Sequence, residues 1–534
     1  MTAAALDARS ARGSHSPTTP VVLLVDAPAD AEVTVEVRRL ATLVSTRSFA
    51  GSTGRNALTL GVFETGAYAV HVRSGDSVAT TAFDVLADAN ARPRYGFVTD
   101  FRPGRADAEA VADSFRAFHL THIQFYDWMY RHAVLLPPTD EFVDTLGRDL
   151  SLPVVRDFVR ATHDAGAQAL AYAAVYAAGT AWAAEHPEQL VSHPDRSPWM
   201  LGDFLWNTDL RPGSAWSRHL VAEMGAAVDE VGFDGLHLDQ YGDPKHATAS
   251  DGEVVDYAEA FPAYIDAVRT RLPRSTLIFN NVNDYPTWAT VRASQDATYI
   301  EVWSPHDTHA DLVDLVRRAR ALAPDRPVIL AAYLEPFAVA SGPAEVSAAK
   351  LALATVWAEG GQYLLFGEQD GALVHPYYPN YATLETAAVD TLRQFVDFAV
   401  AAGDLLFDPS VQEGTTHLCG GINQDVAVEG VPSSLRPEAG RVFVRVSTAG
   451  RRLVVQLVDH RTQDDNRWNV PRQETGTCSG IRLRVKIASR SPSAVVGHPL
   501  GGPAFERVGL RMEGEYAVVD VPEFDTWAIV VVDR

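Results

Sequence analysis

Val231-Gly-Phe-Asp-Gly-Leu-His-Leu-Asp239-Gln-Tyr-Gly-Asp243 is the stretch whose reading decides the fold. It begins as a short apolar strand and ends in carboxylates and an amide, as a strand does when it runs into the mouth of an α/β barrel. Successive side chains of a strand point to opposite faces, so Leu236 and Leu238 share one face and His237 and Asp239 the other. With the leucines packed under helices, Asp239 points into the barrel near its exit. That is where barrels carry their chemistry.

On both sides of this stretch the chain alternates between strand and helix. Strands are predicted over 94–100, 122–128, 168–176, 233–240, 276–282, 298–303, 327–333 and 361–368. Amphipathic helices are predicted over 107–118, 154–165, 216–231, 255–271, 310–323, 345–359 and 384–402, and only the fifth connection, around 288–293, is too short for one. Eight strand-helix units favour a closed (β/α)8 TIM barrel over an open doubly wound sheet. No Gly-x-Gly-x-x-Gly follows any of the strands, so a dinucleotide site has no support.

The barrel is assigned to residues 93–403. Before it, 18–92 reads as an N-terminal immunoglobulin-like β-sandwich, with evenly spaced β-branched runs such as Val33-Thr-Val-Glu-Val37 between turn residues. After it, 404–534 reads as a C-terminal antiparallel β-sandwich, with Leu453-Val-Val-Gln-Leu-Val458 among its runs. Residues 1–17 are expected to be a disordered tail. They lack the apolar core of a secretory signal, so the chain as written is expected in the cytoplasm, with secretion the alternative if a signal has been removed.

The chain of 534 residues carries 68 acidic against 45 basic side chains, a net charge of −23. That excess repels phosphate backbones and anionic lipid, which argues against nucleic acid or membrane partners. No apolar run approaches the ~20 residues of a membrane span. The two cysteines, Cys419 and Cys478, fit no zinc spacing, and either a disulfide between them or two free thiols is compatible with the sequence.

The C-terminal ends of the strands are rich in carboxylates, amides and aromatics. They read Thr99-Asp100, Gln124-Phe-Tyr126-Asp127-Trp128 continuing to His132, Asp239, Asn280-Asn281-Val-Asn283, Glu301-Val-Trp303, Tyr333-Leu-Glu335 and Glu368-Gln-Asp370. Aromatic faces stack on pyranose rings, amides and carboxylates bond hydroxyls, and two carboxyl groups can supply the acid and the nucleophile of glycoside hydrolysis. Trp128, Trp206, Trp288 and Trp303 all fall in or near the predicted mouth. Parity places Tyr299, Glu301 and Trp303 on one face of their strand, and an inward glutamate needs a partner or a task. Asp239 as a mere loop cap, and Glu301 as one half of a salt bridge, are the alternatives.

Other barrel chemistries lack their residues. The first strand, Gly96-Phe-Val-Thr-Asp100, has no His-x-His, and no pair of histidines has strand-end metal-ligand spacing. Of the lysines, Lys350 and Lys486 lie away from the rim and Lys245 sits in a loop, so a Schiff base is poorly served. No metal and no cofactor are expected.

The segments Gly96-Phe-Val-Thr-Asp-Phe101, Ile123-Gln-Phe-Tyr-Asp-Trp128, Ala171-Tyr-Ala-Ala-Val-Tyr176, Gly232 to Asp243, Phe279-Asn-Asn-Val-Asn283 and Tyr299-Ile-Glu-Val-Trp303 resemble glycoside hydrolase family 66. That family comprises endo-dextranases and cycloisomaltooligosaccharide glucanotransferases. The resemblance implies a retaining mechanism on α-1,6-glucan, with Asp239 as nucleophile and Glu301 as acid/base. From the strand ends themselves, substrate contacts are expected from Tyr126, Asp127, Trp128, His132, His237, Asn281, Trp303, Glu335 and Glu368. Family glucanotransferases carry a carbohydrate-binding module late in the barrel, whereas strands seven and eight here are joined by only the ~25 residues a barrel helix needs. Hydrolysis of dextran or isomaltooligosaccharides is therefore expected, in a monomer or weak homo-oligomer. Glucanotransfer in the same site, or a non-catalytic glucan-binding barrel, are the rivals.

Overall fold

The computed structural model describes residues 5–488 and 491–533. Its central sheet has eight parallel strands in chain order: β1 (Tyr95–Val98), β2 (His122–Phe125), β3 (Gln168–Ala174), β4 (Gly235–Asp239), β5 (Thr276–Val282), β6 (Ala297–Glu301), β7 (Val328–Ala331) and β8 (Gln362–Tyr363). A parallel bridge between Phe97 and Gly367 sets β1 beside the chain leaving β8, so the sheet curls into a TIM-like barrel.

Alternation sorts the side chains of these strands into two cores. Tyr95, Phe97, Leu170, Ile278, Tyr299 and Ile329 fill the inside. Leu236, Leu238, Ile300 and Leu330 belong to the larger core between strands and helices. A slip of β4 by one residue would turn both leucines inward and Asp239 out among the helices. Each leucine contributes roughly 1.5–3 kcal/mol by burial, so the register that aims Asp239 inward is set by its apolar neighbours.

Two glycines shape the approach to β4. The helix Ala215–Val231 starts at Ser214, whose side chain accepts from the Ser217 N–H, and stops at Gly232, whose φ of 91° suits glycine. At Gly235 a Cβ would lie 1.9 Å from the Thr276 carbonyl oxygen, so only glycine lets β4 approach β5 so closely. Between them Asp234 accepts the Ala169 N–H at 2.7 Å and pairs with His163 at 2.8 Å, pinning the lower end of β4 to β3.

The N-terminal region forms a three-stranded and a four-stranded antiparallel sheet around Val21, Leu23, Val35, Val70 and Phe83. The expected disordered tail is corrected here. Asp7–Ser10 is a strand paired with Val21–Ala27, burying Ala8 and Ser10 completely. The Gly13 N–H donates to Ala165 O at 2.8 Å, fastening the segment to the barrel. Alternate burial of small residues orders it, which its low apolarity conceals. Residues 1–4 of that expected tail lie outside the described residues.

The C-terminal region packs a seven-stranded sheet against a four-stranded one. Cys419 and Cys478 are both free there. Its residues 464–472 reach back over the loops that follow β6 and β7. The His309 N–H donates to Asn466 O at 2.8 Å, Trp468 Nε1 to His306 O at 2.7 Å, and the Glu335 N–H to Asn469 Oδ1 at 2.9 Å. His309 of the helix His309–Leu322 also faces His460, with ring centroids 4.9 Å apart.

Candidate active site

Asp239 ends β4 and Glu301 ends β6, and β5 lies between them. From β5, Asn280 Nδ2 donates to Asp239 Oδ1 at 2.7 Å and to Glu301 Oε2 at 2.9 Å. The remaining oxygens are also held: the Tyr172 hydroxyl donates to Asp239 Oδ2 at 2.7 Å, and the Tyr333 hydroxyl donates to Glu301 Oε1. The four carboxylate oxygens of the pair are thus held by three donors, Asn280, Tyr172 and Tyr333, from three different strands or strand ends.

The pair sits where charge is costly. Burial raises the Asp239 carboxyl to about 6, against the hydrogen bonds from Asn280 and Tyr172. Burial and then the charge of Asp239 raise Glu301 to about 7, opposed by the bonds from Tyr333 and Asn280. Asp127 is a third acidic group in the same space, raised to about 7 by burial although Arg148 stands 3.4 Å away. His237 and His132 are pushed down by burial, to about 3 and about 4, and are neutral at ordinary pH. No lysine or arginine lines the cavity among the described residues. Such a lining suits a neutral, hydroxyl-rich ligand.

The cavity has a volume of about 490 Å³. Tyr126 stacks on Tyr378 with centroids 4.4 Å apart and planes at 10°. Trp303 meets Tyr333 edge-on at 5.7 Å and keeps 40% of its surface exposed. Leu146, Leu201 and Phe204 form an apolar outer rim. Flat aromatic faces beside two buried acids can hold a sugar ring while its glycosidic bond is broken.

Tyr126, Asp127, His132, His237 and Trp303 line the cavity with Asp239 and Glu301. Four other predicted contacts do not. Trp128 is fully buried, donating Nε1 to Tyr172 O at 3.2 Å and packing on Phe233, because Asp127 takes a φ of 52° and turns the chain after Tyr126. Asn281 has the outward parity of β5; it donates to Tyr299 O at 2.8 Å and accepts from Thr290 at 2.6 Å. Glu335 is exposed at the start of the short turn Glu335–Ala338, outside the cavity. Glu368 is wholly buried, paired with Arg105 and accepting the N–H groups of Thr99 and Asp100 at 2.8 and 3.2 Å, so it braces the end of β1. Trp206 and Trp288 also fall outside the lining.

Asn280, Tyr172, Tyr333 and Tyr378 complete the site without having been singled out in the sequence. Parity on β5 separates Asn280 from Asn281, and on β3 it places Tyr172 on the face of Leu170. For Tyr378, on the turn Tyr378–Asn380 beyond β8, the sequence holds no comparable signal. Among the described residues no group of three or more His, Cys, Asp or Glu gathers as a metal site.

The family model "Glycosyl hydrolase family 66" matches residues 28–531. A cycloisomaltooligosaccharide glucanotransferase of Niallia circulans is 27% identical over 298 residues, 50% of this chain and 30% of that protein. A dextranase of Streptococcus salivarius is 24% identical over 244 residues, 38% of this chain and 29% of that protein. The matches thus span less than a third of either relative's length. Among solved structures, a Paenibacillus sp. cycloisomaltooligosaccharide glucanotransferase complexed with cycloisomaltoheptaose superposes with a TM-score of 0.89 at 18% identity, over 98% of this chain and 100% of the other. That likeness concerns the fold.

Proposed function

Because the chain belongs to glycosyl hydrolase family 66, we propose that it cleaves α-1,6-glucosidic bonds of dextran or isomaltooligosaccharides by a retaining double displacement. Asp239 attacks the anomeric carbon as the glycosidic C–O bond breaks and Glu301 gives its proton to the departing oxygen. Glu301 then takes a proton from water, whose oxygen displaces Asp239 and restores the anomeric configuration. The organisation proposed with it is a (β/α)8 barrel over 93–403 between an immunoglobulin-like and a C-terminal sandwich.

One observation carries the reading. Oxygens held 2.7 and 2.9 Å from one nitrogen can be no more than about 5.6 Å apart, a ceiling that admits the ~5–5.5 Å of a retaining pair and falls short of the ~6.5–9.5 Å of an inverting one. Burial and the neighbouring charge of Asp239 both push Glu301 up, which favours the protonated form an acid beside an ionised nucleophile requires.

Glucanotransfer is the second reading, and the Niallia relative and the Paenibacillus neighbour favour it by name. Transfer differs from hydrolysis only in whether a sugar hydroxyl or water meets the glucosyl-enzyme.

Incubation with dextran, linear isomaltooligosaccharides and cyclic isomaltooligosaccharides, read by mass spectrometry, tests both. Shortened linear products support hydrolysis, while cyclic or lengthened products support transfer. No product from any of the three, with dextran still bound, would leave a sugar-binding barrel. Asp239→Asn and Glu301→Gln should each lower turnover by roughly 10³-fold or more with the fold intact.

A further inference from the structure

A primary amide has two N–H donors and one acceptor. Asn280 directs one Nδ2 toward both catalytic carboxylates, while its Oδ1 is buried and has no partner among the described residues. Leaving a buried acceptor unpaired is unfavourable. The opposite orientation would set a carbonyl oxygen against two carboxylates, so the carboxylates dictate how the amide lies.

Resting on the reading above, we propose that Asn280 is a positioning residue that holds Asp239 and Glu301 at reacting distance and assigns the acid proton of Glu301 to Oε1. Oε2 faces an amide N–H, which can only donate, so a proton on Oε2 would find no acceptor in Asn280. Oε1 faces the Tyr333 hydroxyl, which rotates and can accept as well as donate. In the first step the proton leaves Oε1 for the departing glycosidic oxygen, and the Tyr333 hydroxyl turns back to donate to the new carboxylate. In the second step the proton from water returns to Oε1.

The pH dependence of the reaction reports this arrangement. The phenols that face the pair, those of Tyr95, Tyr126, Tyr172, Tyr241, Tyr299, Tyr333 and Tyr378, are held above their usual range by burial, and His237 is held below its own. Asp127 is the other facing group that titrates near neutrality, so the Asp127→Asn background serves as its control.

The experiment is kcat and kcat/KM against pH on a linear isomaltooligosaccharide, with circular dichroism as the check on folding. Asn280→Ala removes a bond that lowers both carboxyls, so both limbs of the profile should move to higher pH while kcat falls about 100-fold. The near-isosteric Asn280→Asp adds negative charge and should move both limbs further, so it decides the matter even if the alanine variant fails to fold. Tyr333→Phe should raise the basic limb alone.

A wild-type kcat in the Asn280 variants, or a lower kcat with both limbs unmoved, overturns the positioning role. An unmoved basic limb in Tyr333→Phe overturns the assignment to Oε1. Asp239→Asn and Glu301→Gln run in the same assay separate two failures. Activity in those variants rejects the catalytic pair, whereas their inactivity beside wild-type Asn280 variants rejects only the inference.

Discussion

Trp303 and Glu335 both follow barrel strands, yet only the tryptophan reaches the cavity. Trp303→Ala should raise KM about 5-fold, roughly 1 kcal/mol of aromatic contact, with kcat little changed. Glu335→Ala should alter neither constant, since its exposed side chain lies outside the cavity. Initial rates on isomaltooligosaccharides check both, and a large loss in Glu335→Ala would return that residue to the site. At this scale the legible part was whatever strand parity controls. The inward aim of Asp239 and Glu301 follows from Leu236, Leu238, Ile300 and Val302 alternating with them. Asn280 obeys the same rule and was obscured by its neighbour Asn281. Trp128 lay beyond reach because its direction depends on one left-handed residue, Asp127, and an aspartate at a strand end does not announce a φ of 52°.

The elements of the barrel are the best-recorded feature in the chain, because each strand is an apolar run bounded by turn residues and each helix an apolar stripe. Their fine alignment depends on contacts that no local pattern records. At Gly235 a Cβ would meet the Thr276 oxygen at 1.9 Å and its carbonyl carbon at 2.7 Å, both of them backbone. Gly235→Ala must therefore spread β4 from β5 and pull Asp239 away from Asn280. We expect a loss of about 3 kcal/mol, seen as a lower urea midpoint, together with reduced turnover. Unchanged stability would mean that the two strands tolerate separation. The Arg105–Glu368 pair belongs to the same level, since it ties the end of β1 to the chain after β8. A buried carboxylate at a strand end looks like a ligand until its arginine is found; here the partner is in direct contact but 263 residues distant in sequence.

Across the whole molecule, the barrel and the C-terminal region meet at His309 and His460. Both rings are buried, both are held in the neutral form by burial, His460 at about 4, and neither ring nitrogen of His309 has a partner among the described residues. A histidine whose folded pKa is lowered takes up its proton more readily in the unfolded chain. Its stabilising share is intact above about pH 6.5 and is lost as the pH falls toward 4. His309→Leu removes one such group without breaking a hydrogen bond, so the drop in melting temperature between pH 8 and pH 5 should be smaller than in the wild type. An equal drop would show that the interface does not sense acid through this residue. The sequence suggested three regions but not this contact, because neither histidine sits in a pattern that points to the other.

The reach of residues 464–472 over the loop after β6 has a consequence for how the enzyme can be controlled. Trp303 presents its ring to the cavity from the same loop whose backbone, at His306 and Asp307, is gripped by Trp468 from behind. The loop is thus clasped between a cavity-facing side and a side belonging to the other end of the chain. A ligand that pries Trp468 loose should raise KM from outside the cavity, as Trp303→Ala does, and residues 464–472 become a remote handle on the tilt of a single tryptophan.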